Sequence, residues 1–142
     1  MISEEILGKR ILAIDYGLKR IGFAYTDELH ISNNTLPFLV NDDKKFTKII
    51  EIIQKERIQS IVVGMPDFHI DDKSEFRTEL NQFIINLKEK CRLNVNEFDE
   101  SYSTEDAYKI ISATKVRKNK RKESKDSISA SIILKNFLEA NK

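Results

Sequence analysis

The sequence predicts an α/β layer fold built on a mixed β-sheet, and three observations predict it. Short apolar runs at Ile11–Ile14 and Ile58–Val63 are too brief for helices and read as buried strands, and Leu93–Phe98 reads as a further strand. Between and after them, apolar residues recur at helical spacing. A glycine-marked reversal after the first run folds the chain straight back, so the sheet opens with a hairpin and continues through helical crossovers. That opening argues against a dinucleotide-binding α/β fold, whose first strand leads directly into a helix.

The elements follow in order. Residues 1–9 are a short lead-in. The apolar block Ile11–Ile14 ends on a carboxylate, Asp15, and Gly17 offers the φ freedom for a tight turn. Ile21–Tyr25 then pairs back as the second strand. Leu36–Val40 reads as a third, with Pro37 placing it at a sheet edge. Asn41, Asp42 and Asp43 signal a helix start, and Phe46, Ile49, Ile50 and Ile53 carry the helix over residues 43–56. Strand 58–63 is broken by Gly64-Met65-Pro66, and Asp67–Lys73 is a loop. Phe76, Leu80, Phe83, Ile84 and Leu87 mark a second amphipathic helix ending near Cys91. Strand 93–98 runs into Asp99-Glu100. Ser103-Thr104-Glu105-Asp106 opens a helix carrying Tyr108, Ile110 and Ile111. A basic polar segment intervenes before the closing helix, Ile128–Leu138. No repeat or linker divides the chain, so its 142 residues are read as one domain.

Hydrophobic residues at 40% and charged residues at 33% describe a soluble globular chain able to bury a proper core. A net charge of +1 means that polyanion binding must come from local clustering. The single cysteine excludes an internal disulfide and suits a reducing cytoplasm. No apolar run reaches membrane length, and the start lacks the basic-then-apolar order of a leader. A cytoplasmic location is expected.

Three carboxylates stand at the ends of separate elements: Asp15, Glu100 and Asp126. Each has an ordinary explanation. Asp before Gly commonly shapes a turn, and D-x-G at a strand end also occurs in the phosphate-binding hairpin of actin-like and sugar-kinase ATPases. Glu100 can be a loop acid, and Asp126 can serve the dipole of the closing helix, in whose first turn it is expected. Yet Asp126 shares a helix face with Ala130, Ile133 and Phe137, which aims it at the sheet. If the first and fifth strands run in the same direction, Asp15 and Glu100 emerge at one edge. Three converging carboxylates repel one another. Mg²⁺ or Mn²⁺, which take oxygen ligands, resolves this. Two ions about 3.5–4 Å apart would suit phosphodiester hydrolysis.

The run Lys115–Lys125 contains Arg117, Lys118, Lys120, Arg121 and Lys122, and Lys19 and Arg20 follow the hairpin glycine. Such charges are by default a solvated face. Beside a metal-binding acid they also suit phosphate contacts. The run contains no aromatic residue, so base stacking is not expected there. His30 and His69 have no partner at zinc-ligand spacing. No Walker A lysine motif and no serine or cysteine triad signature appears.

Four stretches in order, Ile14-Asp15-Tyr16-Gly17-Leu18-Lys19-Arg20-Ile21-Gly22, Val62-Val63-Gly64-Met65-Pro66, Asp99-Glu100-Ser101-Tyr102-Ser103-Thr104 and Asp126-Ser127-Ile128-Ser129-Ala130, resemble the YqgF/RuvX family of pre-16S rRNA nucleases, formerly taken for Holliday junction resolvases. The resemblance covers about residues 10–138. It implies an RNase H-like fold with a five-stranded mixed sheet flanked by helices, and Asp15, Glu100 and Asp126 as catalytic, metal-binding acids. It further implies trimming of the 5′ end of precursor 16S rRNA, with structured RNA and the pre-ribosome as partners. Two departures stand out: Ser101-Tyr102 replaces the family's Arg-Leu after the acidic pair, and Asp67–Ser74 replaces its Gly-Ser turn. The leading expectation is a metal-dependent RNA endonuclease, monomeric or homodimeric, with Lys19, Arg20 and the basic run on the phosphate backbone. The rivals are a resolvase of four-way DNA junctions acting as a dimer and a non-catalytic nucleic-acid-binding module. An actin-like ATPase is disfavoured, because the chain has no second lobe to enclose a nucleotide.

Overall fold

The computed structural model describes residues 6–66, 75–99 and 118–141, with side chains in the last span from Ser127 onward. Residues 1–5, the loop with His69, Glu100, Arg117 and the helix expected from Ser103 lie outside the described residues. Five strands and three helices are described: β1 (Ile11–Tyr16), β2 (Arg20–Tyr25), β3 (Asn34–Val40), α1 (Lys45–Lys55), β4 (Ser60–Met65), α2 (Glu75–Cys91), β5 (Asn94–Asp99) and α3 (Lys118–Ala140).

The strands form one sheet in the order β3-β2-β1-β4-β5. β1–β2 and β2–β3 are antiparallel, while β1–β4 and β4–β5 are parallel. The sheet is therefore mixed, and β1 and β5 run in the same direction. β3 is an outer strand, where the missing N–H of Pro37 is tolerated.

Alternation along β1 splits the core in two. Leu12, Ile14 and Tyr16 join Ile49 of α1 and Leu80, Phe83, Ile84 and Leu87 of α2 on one face. Ile11 and Ala13 join Ala130, Ile133, Leu134 and Phe137 of α3 on the other. Ile11, Leu12, Ala13 and Ile14 are all 0% exposed, so the first strand is buried on both faces as its uninterrupted apolar block predicts. Among the described residues no helix is long and apolar enough to cross a membrane.

Two expectations are corrected. β4 is not broken at Gly64: it runs on through Gly64 and Met65, which pair with Phe98 and Asp99, and ends before Pro66. A glycine interrupts a lone strand but is held here by the ladder to β5. The closing helix starts at Lys118, ten residues before Ile128. Lysine, arginine and glutamate are good helix formers, and no glycine or proline occurs between Lys118 and Ala140. The packed half from Ser127 onward therefore propagates back through the basic run. Asp126 is the ninth residue of the helix, not a first-turn residue, and the dipole explanation for it falls away.

Three non-glycine residues, His30, Arg57 and Arg92, have φ of +58°, +55° and +58°. Arg57 and Arg92 follow α1 and α2, where a left-handed residue commonly ends a helix and is usually glycine. His30 is held by a 2.8 Å hydrogen bond between its Nε2 and the Lys9 carbonyl. All three lie at the amino edge of β1, β4 and β5.

Candidate active site

Asp15 is the fifth residue of β1, and alternation puts it on the α3 side of the sheet. Its partner on β2 is Gly22. On β4, Val63 pairs with Ile14, so the residue alongside Asp15 is Gly64, which in turn pairs with Phe98. Residues in one such row share a face. In the row through Asp15, neither adjacent strand therefore carries a side chain. The sequence reading quoted both glycines within motifs and gave them no role. The available signal was a glycine inside each of two apolar strands, which weakens a strand unless something must approach its backbone.

The direction of α3 follows from a polar seam along β3. Ser127 donates its hydroxyl to the Leu36 carbonyl. One turn later, Asn33 Nδ2 donates to the Ser131 carbonyl at 2.9 Å, and Ser131 Oγ donates to Asn33 Oδ1 at 3.0 Å. As α3 advances from 127 to 131, β3 recedes from 36 to 33. β3 is parallel to β1 through two antiparallel steps, so α3 runs antiparallel to β1 across β3, β2 and β1. Leu36 lies in one row with Phe23, Ile14, Val63 and Glu97. The helix backbone at Asp126, one residue before Ser127, thus reaches the level of Ile14, next to that of Asp15. Eight residues of α3 precede Asp126, or about 12 Å of helix. Only Asp15 and Tyr16 remain of β1 beyond that level, about 7 Å. The helical backbone of Lys118, Lys120, Arg121 and Lys122 accordingly overhangs the carboxyl edge. The side chains of these residues and of Asp126 are outside the description.

The turn between β1 and β2 completes this edge. Gly17 does not use left-handed φ, contrary to expectation: among the described residues the positive-φ glycine is Gly8. What Gly17 supplies is room, because a Cβ there would sit 2.5 Å from the Arg20 carbonyl oxygen. The end of β3 clamps the turn, with Asn41 Nδ2 donating to the Gly17 carbonyl at 2.8 Å and the Asn41 N–H to the Lys19 carbonyl at 2.9 Å. Lys19 and Arg20 are exposed, and the Arg20 guanidinium lies 5.4 Å from the Phe38 ring centre. Asp99, exposed, ends β5 at the same edge, so the chain leaves the sheet there towards Glu100. Asp15 and the Asp126 backbone are thus brought to one edge; Glu100 and Arg117 lie outside the described residues.

Among the described residues no three His, Cys, Asp or Glu side chains form a metal-holding group. The perturbed titrations sit at the opposite, amino edge. The Ile31 N–H holds the Asp27 carboxyl below its usual range, and a hydrogen bond with Glu56 raises the Tyr25 phenol.

Comparison with known proteins places this geometry. The model of the RuvX family, described as Holliday junction resolvase, matches residues 9–140. A Malacoplasma penetrans protein named "Putative pre-16S rRNA nuclease" is 37% identical, over 96% of this chain and 98% of that one. A protein of the same name from Sulfurihydrogenibium sp. is 37% identical, over 92% of this chain and 90% of its own length. Among solved structures, Thermus thermophilus RuvC in complex with a Holliday junction superposes with a TM-score of 0.60 at 10% identity, covering 94% of this chain and 95% of that one. The fowlpox virus resolvase in complex with Holliday junction DNA gives 0.58 at 13%, covering 92% and 97%. The sheet order and the helix across it are those of an RNase H-like fold, and this chain belongs to the RuvX family.

Proposed function

We propose that this chain is a metal-dependent endonuclease that trims the 5′ end of precursor 16S rRNA in the bacterial cytoplasm. The observation that carries the reading is the strand-end carboxylate Asp15, flanked by Gly22 and Gly64 and facing the side of the sheet that α3 crosses. The names of the 37%-identical relatives favour RNA as the polymer.

The donor set fits a hard divalent cation such as Mg²⁺ or Mn²⁺. Asp15, Glu100 and Asp126 offer oxygen only, while the described thiol and imidazole, Cys91 and His30, belong to the amino edge. Asp15, Glu100 and Asp126 would hold the metal, which would polarise an attacking water and offset charge on the leaving oxygen. Gly22 and Gly64 admit the phosphate to the backbone beside Asp15. Lys19 and Arg20, with Arg117, Lys118, Lys120, Arg121 and Lys122, hold the flanking phosphates and set the position of the scissile bond. One domain suffices for these roles, as a monomer or a homodimer.

The second reading is a resolvase of four-way DNA junctions, favoured by the description of the family and by the two junction complexes that share the fold. The experiment sets end-labelled precursor 16S RNA beside a four-way DNA junction, each with Mg²⁺, Mn²⁺ or EDTA. Wild type, Asp15→Ala and Asp126→Asn are compared. Metal-dependent RNA cutting that both variants lose is the expected result. Undiminished RNA cutting by Asp15→Ala overturns the assignment, and paired cuts in the junction alone transfer it to the resolvase.

A further inference from the structure

We propose that the cleft between the β1–β2 turn, the start of α1 and the middle of α2 is a nucleobase subsite, taking an amino-bearing base of the RNA close to the bond that is cut. The identity of the polymer rests on the reading above; the chemistry of the cleft does not.

The cleft has a volume of about 400 Å³. Its floor is aromatic: the Tyr16 and Phe83 rings are 4.5 Å apart between centres, and Phe46 stacks on Phe83 at 5.5 Å. Leu18, 46% exposed at the tip of the turn, forms one wall. The amides of Asn41, Gln82 and Asn86 line the rest. An aromatic floor, an apolar wall and a rim of amides suit a planar heterocycle.

Charge decides which part of a nucleotide enters. Asp42, Asp43 and Glu79 line the cleft against one cation, Lys45. An anionic phosphate is repelled there, and a neutral base is not. The hydrogen-bonding capacity points the same way. Asn41 Nδ2 gives one of its two N–H groups to the Gly17 carbonyl, and its amide oxygen can accept. Gln82 Nε2 gives one of its two N–H groups to Asn86 Oδ1 at 3.4 Å, and the Gln82 oxygen can accept. Asp42 is already engaged by the Lys44 N–H at 2.9 Å, but Asp43 and Glu79 add further acceptors. A wall rich in acceptors is matched by the exocyclic amino groups of adenine, cytosine or guanine. Uracil, with two carbonyls and one ring N–H, matches it poorly.

Position links the cleft to the reaction. Tyr16 follows Asp15 directly, their Cα atoms about 3.8 Å apart, and alternation turns the two to opposite faces of the sheet. The end of β1 thus meets the polymer twice: its α3 face receives the phosphate and its α1–α2 face the base. The turn between them carries the exposed Lys19 and Arg20.

The test uses the full ¹⁵N-labelled chain in EDTA, titrated with adenosine, cytidine or uridine, which carry no phosphate, and separately with inorganic phosphate and with excess Mg²⁺. Adenosine and cytidine should move the amide signals of Leu18, Asn41, Gln82 and Asn86, with dissociation constants of roughly 1–10 mM. Uridine should bind about tenfold more weakly, the equivalent of one mismatched hydrogen bond. Glu79→Gln and Gln82→Ala, at positions outside the buried core, should each weaken adenosine binding several-fold while leaving the remaining spectrum in place. Equal shifts from uridine, shifts only from phosphate or Mg²⁺, or no shifts at these amides overturn the proposal. Because neither RNA nor cleavage enters, the two readings fail separately. A chain that cuts RNA but ignores nucleosides refutes the subsite alone, and one that binds nucleosides but cuts nothing refutes the nuclease alone.

Discussion

Replacing Ser127 with alanine tests whether the seam between α3 and β3 is what holds the helix across the sheet. Ser127 is 1% exposed and its hydroxyl donates to the Leu36 carbonyl. The substitution deletes that donor and leaves the helix otherwise intact. A partly buried acceptor left without a partner costs up to about 1–3 kcal/mol, and alanine returns up to about 0.5 kcal/mol in helix propensity. The net loss is then about 0.5–2.5 kcal/mol. For 142 residues, an unfolding entropy of about 2.1 cal/mol/K per residue gives roughly 0.3 kcal/mol/K, so each kcal/mol moves Tm by about 3 °C. Thermal unfolding followed by circular dichroism should show Tm lowered by about 2–8 °C. Ser127→Thr, which keeps a hydroxyl, should recover most of it. The second readout is functional: Ser127→Ala should raise the metal concentration needed for half-maximal cleavage, because Asp126 is the adjacent residue. A Tm within about 1 °C of wild type, with an unchanged metal requirement, would refute the idea that this hydrogen bond sets the helix.

Three further outcomes follow from the geometry. Gly22→Ala sets a methyl group beside Asp15; strand stability should hold or rise by about 0.5–1 kcal/mol, while cleavage falls about 100-fold, the effect of a ~1 Å misplacement, so a fully active variant removes the glycine flank from the mechanism. Arg57→Gly and Arg92→Gly relieve left-handed backbone at the amino edge and should each add up to about 1 kcal/mol, additively and with cleavage unchanged, as read by urea unfolding. The Tyr25 phenol, raised from 10.0 chiefly by its hydrogen bond with Glu56, prefers its protonated form in the folded chain. Its stabilisation is therefore complete below the unfolded value and is lost as pH rises through the folded one; tyrosinate absorbance should show a late-titrating phenol that Tyr25→Phe removes.

The sheet was legible because its centre is so apolar. Ile11–Ile14 and Ile58–Val63 announce themselves as strands, and Pro37 marks the outer one. The start of α3 was not legible, because Lys118–Lys125 carries no apolar period; its helicity comes from continuity with the packed half from Ser127. Asp15 could be singled out because it stands at an element end, as Glu100 and Asp126 were expected to. Its glycine neighbours could not, since register across three strands is a long-range property absent from any local window. Gly17 shows the same limit at short range: a turn glycine suggests φ freedom, whereas the constraint proved to be the Arg20 carbonyl.

β3 is the outermost strand on its side of the sheet, yet it touches both halves of the candidate site. Ser127 bonds to it at Leu36, and Asn41, just past its end, holds the turn at Gly17 and Lys19. Outer strands open locally at a free energy below that of global unfolding. Here one such excursion would free Ser127 from its partner and unclamp the turn together, so both flanks of the candidate site loosen while β3 is open. Exchange protection of the β3 amides is therefore a gauge of how often the machinery comes apart without the protein unfolding.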